Sequence, residues 1–211
     1  DGLVSNLSLV MGVAGATLDN RSILIAGFAG LLAGACSMAL GEWLSVQSSR
    51  ELFMHQINIE EEEIKQAPEE EAEELALIYE ARGLEAEQAR TLANQIMADK
   101  DNALETLARE ELGVDPESLG GSAWEAAITS FLLFALGAII PVFPFLFMHN
   151  TSAVIVSILL STVGLFALGS AITLFTGRSV LYSGTRMVVF GLLAAAITFA
   201  IGRLIGVSLG G

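Results

Sequence analysis

Apolar residues fall in long unbroken runs towards both ends of this 211-residue chain and in short periodic groups in its middle. Three runs, Ser22 to Val46, Trp124 to Met148 and Thr151 to Thr176, are each long enough to cross a hydrocarbon core of about 30 Å, which takes roughly 20 helical residues. A fourth, Arg186 to Leu209, holds Arg203 near its far end, where a long side chain reaches the interface. A fifth, Gly2 to Leu18, gives only about 25 Å of helix at about 1.5 Å per residue. The chain opens on Asp1, and this run is read as a first helix whose cytoplasmic half is missing. The pattern predicts an all-α integral membrane protein with five transmembrane helices, the first one truncated.

Between the second and third runs the periodicity changes. Leu75, Ile78 and Tyr79 share one helical face, Ala89, Leu92, Ala93 and Ile96 another, and Ala103, Leu104, Leu107 and Ala108 a third. Pro68 suits a first helical position, Gly83 and Gly113 suit helix ends, and Asp101 or Asn102 can cap the third helix. Three short amphipathic helices therefore follow an extension of the second span. The domains read as 1–50 (helices one and two), 51–120 (the insert) and 121–211 (helices three to five).

Charge sharpens this division. Residues 51–120 hold 20 of the 24 acids and five of the ten bases, a net charge of −15, and the rest of the chain carries +1. An acidic insert on a nearly uncharged body excludes a nucleic-acid binder, which needs basic surface. A single Cys excludes a disulfide framework. Arg50, Arg178 and Arg186 fall on one side if every run spans, so the positive-inside rule puts the insert in the cytoplasm and the C-terminus outside. Gly202 and Gly206, four apart, allow close helix packing, and Pro141 and Pro144 should kink or end the third span near its outer end.

Steps of four along the second run lead from Gly30 and Gly34 to Met38 and Glu42, so all four share a face. Met38 lies about 24 Å from the start of that helix, and Asp1 lies about 25 Å from the end of the first. A carboxylate and a thioether are thus expected at one depth, with Glu42 about a turn further in. Carboxylates inside a span are costly unless paired, hydrated or ligating. A thioether beside them suits a borderline divalent ion such as Fe²⁺, Mn²⁺, Co²⁺ or Zn²⁺ better than Mg²⁺ or Ca²⁺. The plainer alternative makes Glu42 an interfacial anchor and Met38 packing; Cys36 points to another face and reads as a small packing residue.

In the insert, Glu60 and Glu63 are three apart and so are Glu71 and Glu74, placing each pair on one helical face. Such pairs repel unless a divalent ion lies between them, and its binding would depend on pH. A merely solvated acidic face is the alternative. Met97 could add a soft ligand or serve as core. His55 and His149 are isolated, Asn150-Thr151-Ser152 abuts the membrane too closely for a convincing glycan acceptor, and no catalytic triad, zinc spacing or phosphate loop is evident, so no enzyme is expected.

Asp1-Gly2-Leu3-Val4-Ser5-Asn6-Leu7-Ser8-Leu9, Ala35-Cys36-Ser37-Met38-Ala39-Leu40-Gly41-Glu42 and Ser48-Ser49-Arg50-Glu51 together resemble the vacuolar iron transporter family along the whole chain. The resemblance implies a homodimeric, proton-coupled exporter of cytosolic Fe²⁺, often accepting Mn²⁺, with no permanently bound cofactor and with the insert collecting metal. It maps the family's intramembrane Asp and Met onto Asp1 and Met38. The insert's four glutamates, spaced 3, 8 and 3, map onto Glu60, Glu63, Glu71 and Glu74. Two positions depart from the plant-type pattern: Gly30 stands where that type is acidic, and its Met pair followed by Glu aligns with Ile96, Met97 and Lys100. Asp99, Asp101 or Glu105 could replace that Glu. A prokaryotic plasma membrane is expected, or a vacuolar membrane in a eukaryote. A membrane-anchored metal buffer or sensor is the alternative function.

Overall fold

The computed structural model describes residues 1–115 and 121–209; of Lys100, Asp101 and Leu209 only the backbone is described. The described residues form helices α1 (Gly2–Ala16), α2 (Asn20–Gln66), α3 (Pro68–Ala81), α4 (Ala86–Met97), α5 (Lys100–Glu110), α6 (Ala123–Val142), α7 (Asn150–Thr176) and α8 (Val180–Leu209), with a 3-10 turn at Phe143–Leu146 and no strand. Four helices are long and apolar enough to cross a membrane, as befits a multi-pass integral membrane protein: α2, α6 with its 3-10 turn, α7 and α8. The fifth expected span, α1, is apolar but has 15 residues, about 22 Å of helix.

The contacts divide the chain into two compact units, Asp1–Glu42 with Ala127–Gly211, and Trp43–Ala126. In the first, α1 is the enclosed element. Leu3, Leu7, Val10, Met11 and Ala14 are buried and form one core with Ile23, Val142, Phe145, Val154, Leu165 and Ala195. Close backbone approach makes this enclosure possible. A β-carbon at Gly202 would overlap the carbonyl oxygen of Gly12, and one at Gly15 would overlap that of Phe199. The Gly202 and Gly206 pair thus seats α8 directly on α1, as small-residue spacing allows in membranes.

Asn6 ties this core together by hydrogen bonds. Its buried amide nitrogen donates to the carbonyl oxygens of Gly27 (3.1 Å) and Ala138 (2.6 Å), joining α1 to α2 and α6. Asp19 starts α2 by accepting from the Ser22 N–H at 2.9 Å and the Ser22 hydroxyl at 2.6 Å, the usual way a short acidic side chain satisfies a free helix N–H. At the other end of the bundle, Gly177 closes α7 in the left-handed conformation with φ 63°.

Of three expectations at the element ends, the first holds and two shift. Pro141 and Pro144 end α6 at Val142 and tighten the chain into the 3-10 turn, as their missing N–H groups require. The last helix begins at Val180 rather than Arg186, with the Ser183 N–H already bonded to the Ser179 carbonyl. Arg186 therefore lies inside the helix. Helix α5 starts at Lys100, so Asp101 and Asn102 belong to its first turn rather than to the cap.

In the second unit Ile64, Leu75, Ala76, Ala89, Ala93, Ala103 and Leu107 form one core. Five of the eight positions expected to face inwards on α4 and α5 (Ala89, Ala93, Ala103, Leu107 and Ala108) are fully covered. Trp43 and Trp124, 5.9 Å apart between ring centroids, pack at the ends of the same unit.

Gly202→Leu should destabilise the detergent-solubilised protein by about 1–3 kcal/mol, the usual cost of overpacking, because backbone rather than a flexible side chain stands in the way. Gly41→Ala, with nothing within 4 Å of its added carbon, should leave the melting temperature unchanged or slightly higher. Comparable losses for the two variants would refute the close α1–α8 contact.

Candidate metal centre

The acidic cluster of the second unit grows out of its apolar stripes. Glu60 lies four residues before buried Ile64, Glu71 four before buried Leu75, and Glu111 four after buried Leu107. Four residues keep a side chain on the same helical face. Each glutamate therefore continues a stripe that faces the core, and the core brings the three together. Their carboxylate oxygens lie within 4.8 Å of one another. Alanines at 76, 89, 93 and 103 help, since small side chains let the helices approach closely.

Burial makes this gathering electrostatically costly. Glu60 and Glu71 are only 5% and 6% exposed, whereas Glu111 is exposed. Oε2 of Glu60 is buried and accepts no hydrogen bond. Burial raises the Glu60 carboxyl from 4.5 to about 7, with repulsion from Glu111, Glu71, Glu63 and Glu74 adding to it. Burial likewise raises Glu71 to about 7, reinforced by Glu74, Glu63, Glu111 and Glu70. Glu111 is shifted upwards too, by burial and by Glu74 and Glu63.

Four bases of the unit are spent elsewhere. Lys65 pairs with Glu61, Arg82 with Glu110, Arg90 with Glu73 at 2.8 Å, and Arg109 with Glu105 at 2.8 Å and Asp115 at 3.1 Å. Among the described residues none pairs with Glu60, Glu63, Glu71, Glu74 or Glu111. Five carboxylates without a cation, three of them in near contact, form a donor set suited to a divalent ion. One ion would replace the mutual repulsion with shared attraction and fill the vacant valence of Glu60 Oε2.

Glu60 and Glu71 thus meet directly, while Glu63 and Glu74 are exposed and contribute charge close by. Met97 packs against the apolar core of the unit. Glu105 is engaged by Arg109, Asp99 is exposed, and the side chain of Asp101 lies outside the described residues. Glu111 was not singled out from the sequence. Its signal was the Ala103–Leu107 stripe, which reaches Glu111 at the next step of four.

In the first unit, Asp1, Met38 and Glu42 are all exposed on the isolated chain. Asp1 accepts from the Ser5 hydroxyl, through its carbonyl at 2.8 Å and its carboxylate at 3.4 Å. A β-carbon on Gly27 would approach Val10, and one on Gly30 would meet Leu9 and Asn6. This antiparallel register sets Asp1 near the level of Ala35, within about a turn of Met38. Gly34 receives the ring of Phe134. Cys36, expected to pack, is exposed.

The pattern of the VIT family matches residues 1–203. The chain belongs to the VIT family. Vacuolar iron transporter 1 of Arabidopsis thaliana is 32% identical over 97% of this chain and 82% of its own length. Vacuolar iron transporter 1 of Tulipa gesneriana is 31% identical over 97% and 83%, and the vacuolar iron transporter of Acanthamoeba castellanii is 34% identical over 96% and 77%.

The raised carboxyls have a consequence for stability. Their neutral form is favoured in the folded state, so this contribution is complete below pH 4.5 and is lost as pH rises through about 7. Metal-free protein should therefore melt at a higher temperature at pH 5 than at pH 8. Mn²⁺ should restore the loss at pH 8 and do little at pH 5, and Glu60→Gln with Glu71→Gln should flatten both effects. Thermal melts across this range decide it; a metal-free double variant with the same pH slope as the parent would contradict the assignment.

Proposed function

We propose that this chain is a divalent transition-metal/proton antiporter that moves Fe²⁺, and also Mn²⁺, out of the cytosol. The observation that carries the reading is the convergence of Glu60, Glu71 and Glu111 with no base to neutralise them. Membership of the VIT family and the apolar helices supply the context, and relatives named as iron transporters supply the cargo. In this reading α1 is the fifth span, residues 51–120 are the cytoplasmic collecting domain, and the protein works as a homodimer. The membrane is the plasma membrane of a prokaryote or the vacuolar membrane of a eukaryote.

Metal first loads at the glutamate cluster, displacing protons from carboxyls that titrate near neutral pH. Asp1, Met38 and Glu42 then provide carboxylate and thioether donors along the membrane path. Protons returning from the far side compete with metal for the same oxygens, so release and reprotonation are one exchange. The exposure of all three residues on a lone chain supports a path completed by a second copy. A metal buffer would also use the glutamate cluster, but it gives no role to a thioether and two carboxylates in the apolar unit.

Proteoliposomes loaded at acidic pH should take up Fe²⁺ and Mn²⁺ and lose internal protons as they do so. Met38→Leu should depress Fe²⁺ uptake by about tenfold, the effect expected of a lost ligand or ligand-supporting contact, and Mn²⁺ uptake less, since the harder ion depends less on sulfur. Glu60→Gln with Glu71→Gln should raise the metal concentration needed for half-maximal uptake. Metal binding without flux would establish the buffer instead, and equal losses of the two ions would remove Met38 from the path.

A further inference from the structure

The first turns of α8 carry a groove that the proposed metal path does not use. Ser179, Leu181, Tyr182, Thr185 and Arg186 line one end and Val189 and Phe190 the other, around a volume of about 490 Å³. Their three- and four-residue spacing puts them along one side of the helix. The groove changes from hydroxyl and guanidinium to purely apolar over 11 residues, about 16 Å of helix.

Arg186 is the cation of this groove, its guanidinium 5.7 Å from the centre of the Tyr182 ring. Among the described residues no carboxylate lies within ion-pair distance of Arg186 or of Arg178, which adds a second positive charge just before the helix begins. In the acidic unit, by contrast, Lys65, Arg82, Arg90 and Arg109 each have an acidic partner. The first N–H groups of α8 also lack carbonyl partners within the helix, leaving donors at the same end. After Arg186 no charge occurs until Arg203.

We propose that this groove binds an anionic phospholipid, its phosphodiester held by Arg186 with the hydroxyls of Ser179 and Thr185, and one acyl chain lying along Val189 and Phe190. The sequence of chemistry along the groove is that of the lipid itself, anionic head followed by hydrocarbon. A basic residue near the end of an apolar span is also where anionic head groups concentrate. Free phosphate would satisfy only the polar end.

Melting temperature and native mass spectrometry of the full chain in detergent, with phosphatidylglycerol, phosphatidylcholine or inorganic phosphate added, test this without reference to transport. Phosphatidylglycerol should stabilise the protein and remain bound, whereas phosphatidylcholine and inorganic phosphate should do neither. Arg186→Gln should weaken phosphatidylglycerol binding about fivefold, the effect of one interfacial cation, and Arg203→Gln should not. Ser179→Asp adds a negative charge at a position that tolerates Asp as a helix cap, so it should fold and still weaken binding. Unchanged lipid binding in both Arg186→Gln and Ser179→Asp would overturn the proposal. So would inorganic phosphate reproducing the stabilisation, or lipid acting only by making the chain self-associate.

Discussion

Carboxylates removed from water repel one another strongly, and a protein that buries several together needs both a framework that forces them close and a reason to tolerate it. Here the framework is the small apolar core of residues 43–126. Ile64, Leu75 and Leu107 are enclosed, and Glu60, Glu71 and Glu111 are each four residues away on the same faces. Packing the hydrophobic groups therefore gathers the carboxylates. The cost appears as carboxyls at Glu60 and Glu71 that ionise only near pH 7. A divalent cation is the simplest partner that turns this cost into binding energy, and the ion pairs elsewhere in the unit leave the cluster free for one.

The apolar unit solves a different problem with a different device. Its helices have little to gain from hydrophobic association inside a lipid phase, so close packing must hold them. Gly12 and Gly15 of α1 meet α8 backbone to backbone, and Asn6 spans α1, α2 and α6 through two carbonyls. The short helix α1 is the centre of this arrangement. That fixes the level of Asp1 relative to Met38 without either residue having to bear structural load, and both stay exposed.

Much of this was legible in the sequence, because hydrophobic periodicity reports burial directly. The apolar runs became helices, the stripes of the insert became its core, and the Gly202–Gly206 spacing became the α1–α8 contact. What escaped was set by tertiary context. Glu111 looked like one more acid in a charged stretch, since its partners lie on α2 and α3 rather than nearby in sequence. Extending Ala103 and Leu107 by one helical step would have found it. The start of α8 was missed because Arg186 reads as a flanking charge, although Val180, Leu181 and Tyr182 already continue the apolar run. Helix α5 starts ahead of Asp101 and Asn102, because the Ala103 N–H already bonds the carbonyl of Asp99, itself a residue type that caps well.

The central claim is that one divalent ion bridges the three glutamates, and anomalous X-ray diffraction from crystals of the full chain grown with Mn²⁺ tests it most directly. A manganese peak is expected within coordination distance of carboxylate oxygens from Glu60, Glu71 and Glu111, and it should disappear in Glu60→Gln with Glu71→Gln. Saturating Mn²⁺ with no peak among these three residues would contradict it, and so would a peak held only by exposed glutamates of the same unit.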